Sequence, residues 1–270
     1  MTDPSSSKNP VPSQAYTNHY YETDCDGYRE FSESHGRSIP LRLKLPLKLA
    51  GLKPNMRVVD IGCGRGEVVL HAVQQGVQVW GLDYSSAAVE IAFKTLKENL
   101  TGELFRQCVI QQCDATRLPF QDKVIDRVFM LDVVEHLTPE ELSKTLQEVF
   151  RILKPGGFLI VHTMPSLWYY RYGYPIFRFI NTLRKTKLPV NPRERCNFSH
   201  VHVNEQTPLS LRKVLLENGF KARIWLQTTQ DYAYEKNRLV RSGMKFLVSV
   251  YPFRWIFCND IFAIGNKTDE

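Results

Sequence analysis

The sequence predicts an α/β fold, a doubly wound and mostly parallel sheet with helices on both faces. Two observations carry this. From Met56 to Gly157, short apolar runs of strand character alternate with stretches of helical periodicity. The first run, Val58-Val59-Asp60-Ile61, passes directly into the loop Gly62-Cys63-Gly64-Arg65-Gly66, which opens a helix. Such alternation builds parallel sheets, because each strand needs a crossover to return the chain to the same edge.

The elements follow in order. Val58 to Ile61 is the first strand. Val68, Val69, Ala72 and Val73 share one helical face behind the loop, and Gly76 suits the end of that helix. Val77 to Leu82 is the second strand. A helix from about Ser86 to Asn99 sets Val89, Ala92, Phe93 and Leu96 on one side. Cys108 to Cys113 is a weaker third strand and Arg127 to Leu131 the fourth. Thr138-Pro139-Glu140-Glu141 starts a helix, with threonine as N-cap, proline in the first turn and glutamate three residues on. Leu142, Leu146, Val149 and Leu153 continue it. Pro155-Gly156-Gly157 turns the chain into the fifth strand, Phe158 to Thr163. Two further strand candidates are Lys221 to Gln227 and Ile256 to Gly265; the helix before the first opens at Thr207-Pro208 and ends at Asn218-Gly219.

A chain of 270 residues with 43% hydrophobic side chains holds one domain with a sizeable core. That domain spans 16–270, behind a polar lead, 1–15, expected to be disordered. The six cysteines lack framework spacing, which implies free thiols in a reducing compartment. The start lacks the pattern of a signal peptide, and no apolar run approaches the ~20 residues of a membrane span. A cytoplasmic protein is expected, with peripheral membrane attachment left open.

The loop carries the first functional signal. Gly62, Gly64 and Gly66 let backbone pass close to a ligand, and the helix behind them offers free N–H groups. A ligand carboxylate or a diphosphate could use that arrangement. The spacing G-x-G-x-G, with Asp60 two residues ahead, differs from the dinucleotide fingerprint G-x-G-x-x-G and suits an amino-acid ligand better. Asp83, ending the second strand in Gly81-Leu82-Asp83-Tyr84-Ser85, can accept from ribose hydroxyls. Asp114, in Cys113-Asp114-Ala115, can accept from an adenine amine.

Five segments together resemble the class I S-adenosylmethionine-dependent methyltransferases, within them the small-molecule group that includes quinone-biosynthesis enzymes. They are Val58 to Gly66, Gly81 to Ser85, Cys113 to Ala115, Asp126 to Leu137 and Arg151 to Gly157, and the resemblance covers about residues 50–164. It implies a Rossmann-like sheet of seven strands, the last antiparallel, and S-adenosylmethionine as cofactor. It places Asp83 at the ribose, Asp114 at the adenine amine and the loop glycines Gly62, Gly64 and Gly66 near the methionine part, with Asp60, Cys63, Tyr84 and Ala115 also at the cofactor. Backbone around Leu131 and Asp132 lines the same site. The tyrosines of Tyr16-Thr17-Asn18-His19-Tyr20-Tyr21 resemble the leading helix that closes over the cofactor. Arg37 is a candidate partner for the cofactor carboxylate, against a plain surface position.

His136 follows the fourth strand and is the candidate general base, its alternative being a capping or packing role. His200-x-His202, with Cys196 and Glu205 nearby, lacks a metal-site spacing and reads as a polar pocket wall, so no metal is expected.

Two segments stand outside the alternation, 166–200 and 231–255, read as helical insertions after strands five and six. The first holds eight aromatics and seven basic residues against one acidic residue, Glu194. It leaves the sheet at its carboxyl edge, where ligands bind in open α/β sheets, and is expected to form a lid. If Tyr169 to Leu183 is helical, Tyr172, Ile176, Phe179, Ile180 and Leu183 share a face that either packs on the sheet edge or meets an anionic membrane. Residues 165–270 carry 17 basic and 8 acidic side chains, a net of +9, while residues 1–164 carry 18 and 20, a net of −2. An anionic partner and a solvated basic face both explain that asymmetry.

The function expected is therefore methyl transfer to a small-molecule or lipid-like acceptor, with no dedicated nucleic-acid module. Two alternatives stand beside it: an RNA or other nucleic-acid methyltransferase using the basic, aromatic C-terminal part, and a nicotinamide-dependent oxidoreductase. The acceptor atom and the oligomeric state are not legible.

Overall fold

A computed structural model describes residues 9–195, 200–233 and 235–267. The strands are β1 (Arg57–Ile61), β2 (Gln78–Asp83), β3 (Cys108–Gln112), β4 (Ile125–Leu131), β5 (Leu153–Thr163), β6 (Phe220–Leu226) and β7 (Ile261–Lys267). The helices are α1 (Tyr28–Ser34), α2 (Leu41–Leu49), α3 (Glu67–Val73), α4 (Ser86–Asn99), α5 (Gly102–Arg106), α6 (Pro139–Ile152), α7 (Tyr174–Leu183), α8 (Pro208–Glu217), α9 (Arg238–Ser249) and α10 (Arg254–Phe257). One seven-stranded sheet runs in the order β3-β2-β1-β4-β5-β7-β6. β7 is antiparallel to both neighbours, as the resemblance implies.

The order reverses between β1 and β4, which pair in parallel with Val59 opposite Val128. In a doubly wound sheet this is where a crevice opens above the strand ends. Each face of the sheet has its own core. On one, Val59, Met130, Leu146, Val149 and Val161 pack with α6 and α8; on the other, Val58, Val69, Val73, Phe129 and Ile160 pack with α2, α3 and α4. α6 starts as its sequence demands, Thr138 and Glu141 exchanging the two bonds of a capping box.

Three expectations need correction. The strand expected from Ile256 begins only at Ile261, because Arg254–Phe257 form α10 and Trp255 packs against Trp168, the rings tilted with centroids 5.1 Å apart. Leu153 belongs to β5, where it pairs with Ile125, rather than to the preceding helix. The lead 1–15 is not all disordered: Ser13–Ala15 make a 3-10 turn, and Val11 and Ala15 pack against the Tyr20 and Tyr21 cluster. Residues 1–8 lie outside the described residues. No helix among the described residues is long and apolar enough to cross a membrane.

Candidate active site

The loop after β1 is held open by left-handed backbone. Gly62 has φ of 69°, and a Cβ there would lie 2.4 Å from Val133 Cγ2. Gly66 has φ of 79°, and its Cβ would lie 3.0 Å from that of Ala92. Only glycine combines that backbone region with such close approach. The amides of Gly62 and Cys63 both donate to Leu82 O, at 2.7 and 3.0 Å, which ties the loop to the end of β2.

Asp83 ends β2 and accepts from Gly64 N and Ser85 N, each at 2.9 Å. Burial raises its pKa to about 6 in spite of these bonds. Asp60 is fully buried, and burial, then the charges of Asp83 and Glu67, push its carboxyl well above the usual range. Asp60, Glu67 and Asp83 thus converge, with other carboxyl groups, on one cavity of about 220 Å³. Like charges gathered in a buried space favour a cationic guest. Two residues of the same cavity carry a buried polar atom with no hydrogen-bond partner, Glu67 at Oε1, an acceptor, and Arg42 at Nη1, a donor. A ligand carrying both a cation and a carboxylate, as an amino acid does, satisfies both.

The cavity brings together every residue expected at the cofactor except Gly66: Asp60, Gly62, Cys63, Gly64, Asp83, Tyr84, Asp114, Ala115, Leu131 and Asp132 all line it. Gly66 sits behind as the N-cap of α3. Asp114 is turned by two bonds to Oδ1, from Thr116 N and Oγ1, both 2.8 Å. Burial pushes the Cys63 thiol well up, so it is a packing group rather than a nucleophile. Arg37 is exposed, donates to Ser34 O and does not line the cavity; Arg42 and Arg65 are the arginines that do.

Arg42 also anchors a buried network. Its Nε donates to Asp132 at 2.9 Å; Asp132 is bonded to His162, whose other nitrogen lies 3.3 Å from Asp260. Burial alone would depress the His162 pKa, but Asp132 and Asp260 outweigh it and raise it to about 10. Burial also opposes ionisation of Asp132, yet His162 and Arg42 hold its carboxyl well below the usual range. This network holds Asp132 at φ of 58° on the cavity rim. Tyr16, Tyr20 and Tyr21 of the leading segment also line the cavity. Arg65 Nη2 and Arg42 Nη2 clamp that segment by donating to Asp26 O at 3.0 and 2.9 Å.

His136 lies on the same cavity. Its Nδ1 is 3.1 Å from Val201 O and 3.2 Å from the Tyr16 hydroxyl. A carbonyl only accepts, so Nδ1 carries the proton and Nε2 the lone pair. Burial lowers its pKa to about 4, and His202, whose ring centroid is 4.8 Å away, falls to about 2, also first by burial. Both are neutral imidazoles at pH 7. Glu135 is raised to about 8, by burial and then by Asp132, and accepts from Thr163 Oγ1 at 2.7 Å. Ligand atoms of Glu135, His136 and His202 lie within 4.8 Å of one another, a set that could reach one ion. With Glu135 bound to Thr163 and His136 to Val201, the group reads as a polar pocket wall. His200 is exposed, and Cys196 lies outside the described residues.

A second, larger cavity of about 460 Å³ adjoins the first, sharing Asp26 and Met164 with it. Tyr169, Tyr170 and Phe177 wall one side, and Val240, Met244 and Leu247 of α9 the other. The segment expected to be a lid is thus half of a chamber, and the insertion 231–255 supplies the other half.

Part of the chain is similar to known methyltransferases. The family described as "Methyltransferase domain" matches residues 59–161. A demethylmenaquinone methyltransferase of Desulfitobacterium hafniense (strain Y51) is 34% identical over 132 residues, 46% of this chain and 49% of that protein. A Mus musculus protein named "Probable tRNA methyltransferase 9B" is 34% identical over 111 residues, 41% of this chain and 22% of that protein. The chain therefore spans about half or less of these relatives. The solved structure of Haemonchus contortus phosphoethanolamine N-methyltransferase 2 with S-adenosyl-L-methionine superposes with a TM-score of 0.64 at 18% identity, covering 93% of this chain and 60% of that one; this is a likeness of fold.

Proposed function

We propose that this chain, which matches the family "Methyltransferase domain" over residues 59–161, is a class I methyltransferase that transfers a methyl group from S-adenosylmethionine to a small, lipid-like acceptor. One observation carries the acceptor class: the cavity of the glycine loop shares Met164 and Asp26 with a roomier neighbouring chamber walled largely by aromatic and aliphatic side chains. Chambers of that lining take up apolar ligands and orient them by a few polar groups.

The residues present fit the cofactor. Arg42 Nη1 suits its carboxylate; Glu67, Asp60 and Asp83 suit its ammonium and ribose hydroxyls; Asp114 suits the adenine amine. S-adenosylmethionine supplies a methyl group made electrophilic by the positive sulfur. The protein's work is alignment and exclusion of water. Tyr16, Tyr20 and Tyr21 line the cavity, and Met164 is shared between it and the acceptor chamber. His136 presents the unprotonated Nε2 as the candidate proton acceptor; a pKa near 4 makes it a weak base, adequate for an acceptor that is itself acidic.

The test is transfer of labelled methyl from S-adenosylmethionine by the purified protein into a cell extract of its source. Label is expected in the organic-solvent phase. Label confined to the nucleic-acid fraction would favour the RNA reading and overturn this one. A deletion strain should accumulate a species lighter by one methylene than its wild-type counterpart.

A further inference from the structure

α7 is an amphipathic helix turned inside out. Ile176, Phe179, Ile180 and Leu183 recur at helical spacing and form an apolar stripe. In a soluble fold that stripe faces the core. Here most of it faces outward: Ile176, Phe179 and Leu183 are exposed, Phe179 to 64% and Leu183 to 69%, while Ile180 also lines the second chamber. The sheet-edge packing that the sequence allowed does not occur. The inner side of α7 instead gives Phe177, Asn181 and Arg184 to the second chamber.

α9, from the other insertion, stands across that chamber. Val240, Met244 and Leu247 face in, while Leu239 is 84% exposed, and Tyr251, just beyond the helix, is 72% exposed. Phe246 and Phe253, also exposed, lie with ring centroids 6.0 Å apart. The two helices thus border one chamber, each with large apolar side chains on its outside. Basic residues accompany them: Arg184, Lys185 and Lys187 at the end of α7, and Arg238, Arg241 and Lys245 on α9. Glu235, the acidic residue beside them, is paired with Arg184 at 2.8 Å.

We infer that α7 and α9 together dock on an anionic lipid bilayer, so that the second chamber opens at the membrane surface and receives its acceptor from the lipid. Apolar rings and aliphatic tips enter the headgroup boundary while the surrounding cations meet lipid phosphates. Charge selects this occupant over a second copy, whose matching face would set cations against cations. The inference rests on the proposed acceptor chamber and adds where its substrate comes from.

The experiment is co-sedimentation of the full chain with vesicles of phosphatidylcholine alone and of phosphatidylcholine with phosphatidylglycerol, at low and high salt. The chain should pellet with the anionic vesicles and be released by salt. Phe179→Ser combined with Leu183→Ser should weaken that binding by at least about tenfold, since both side chains are exposed and their loss removes buried area only at the membrane. Arg238→Glu with Lys245→Glu should weaken it on the anionic vesicles alone. S-adenosylhomocysteine affinity, measured on the same samples without lipid, should be unchanged in all of them. Its absence in the parent chain would sink the methyltransferase reading separately. Vesicle binding that is absent, or indifferent to lipid charge, would overturn the docking. So would sedimentation equilibrium showing a dimer that Phe179→Ser with Leu183→Ser dissolves.

Discussion

Asp83 and Arg42 carry the cofactor reading at the scale of single residues. Asp83 is already fixed by Gly64 and Ser85, so it meets a ligand without reorganisation. Asp83→Ala removes charged hydrogen bonds worth ~1.5–3 kcal/mol each. S-adenosylhomocysteine affinity should fall at least about tenfold in calorimetric titration; unchanged affinity would remove the ribose role. Arg42 binds Asp132 and supplies the orphaned Nη1, so Arg42→Met should do two things. It should weaken cofactor binding, and it should lower stability by about 1–3 kcal/mol, because Asp132 loses one of its two buried cations and keeps His162. A stable, fully binding variant would refute both. For His136, substitution by alanine should lower the maximal rate by ~10²–10⁴ with cofactor affinity nearly intact. The rate profile of the parent chain should then bend near pH 4 rather than near 6.5, following the lowered pKa. A loss of stability matching the loss of rate would leave His136 a packing residue.

Individual elements show what the sequence made legible. Strands β1 to β4 and helices α3, α4 and α6 follow from local signals: apolar runs, glycine turns and one complete capping box. The left-handed glycines were legible because few other residues tolerate that backbone. Gly62→Ala should cost on the order of 1–3 kcal/mol and weaken cofactor binding, since Val133 must move from a Cβ only 2.4 Å away; thermal melts with and without S-adenosylhomocysteine would show both effects. α2 was missed, and Arg42 with it. The pattern Leu41-Arg42-Leu43-Lys44-Leu45-Pro46-Leu47 alternates like a strand and contains a proline, yet folds as helix against the core. An arginine among its buried leucines was the available clue. The second half of α10, Ile256 and Phe257, reads as strand because such side chains suit either state, and the contact of Trp255 with Trp168 accompanies the helical turn. The joint chamber of α7 and α9 was not legible at all. It depends on two insertions, far apart in sequence, meeting in space.

For the whole molecule, titration behaviour follows from the buried network. His162 has a pKa raised to about 10, so its stabilisation is complete below the unfolded value near 6.5 and is lost as pH rises through 10. Glu135, raised to about 8, and Asp83, raised to about 6, act in the same direction as pH rises. Stability should therefore decline from about pH 7 to pH 10, and His162→Gln should flatten that decline, as read from urea midpoints across the range. A midpoint that rises with pH would contradict the network's charge state.

The central claim, that the cavity beside the glycine loop is an S-adenosylmethionine site, meets its most direct test in one titration. The purified chain is titrated calorimetrically with S-adenosylhomocysteine and, in parallel, with NAD. Saturable binding of S-adenosylhomocysteine at one site per chain, weakened by Asp83→Ala and absent for NAD, is the predicted result. Saturable binding of NAD with none of S-adenosylhomocysteine would contradict it.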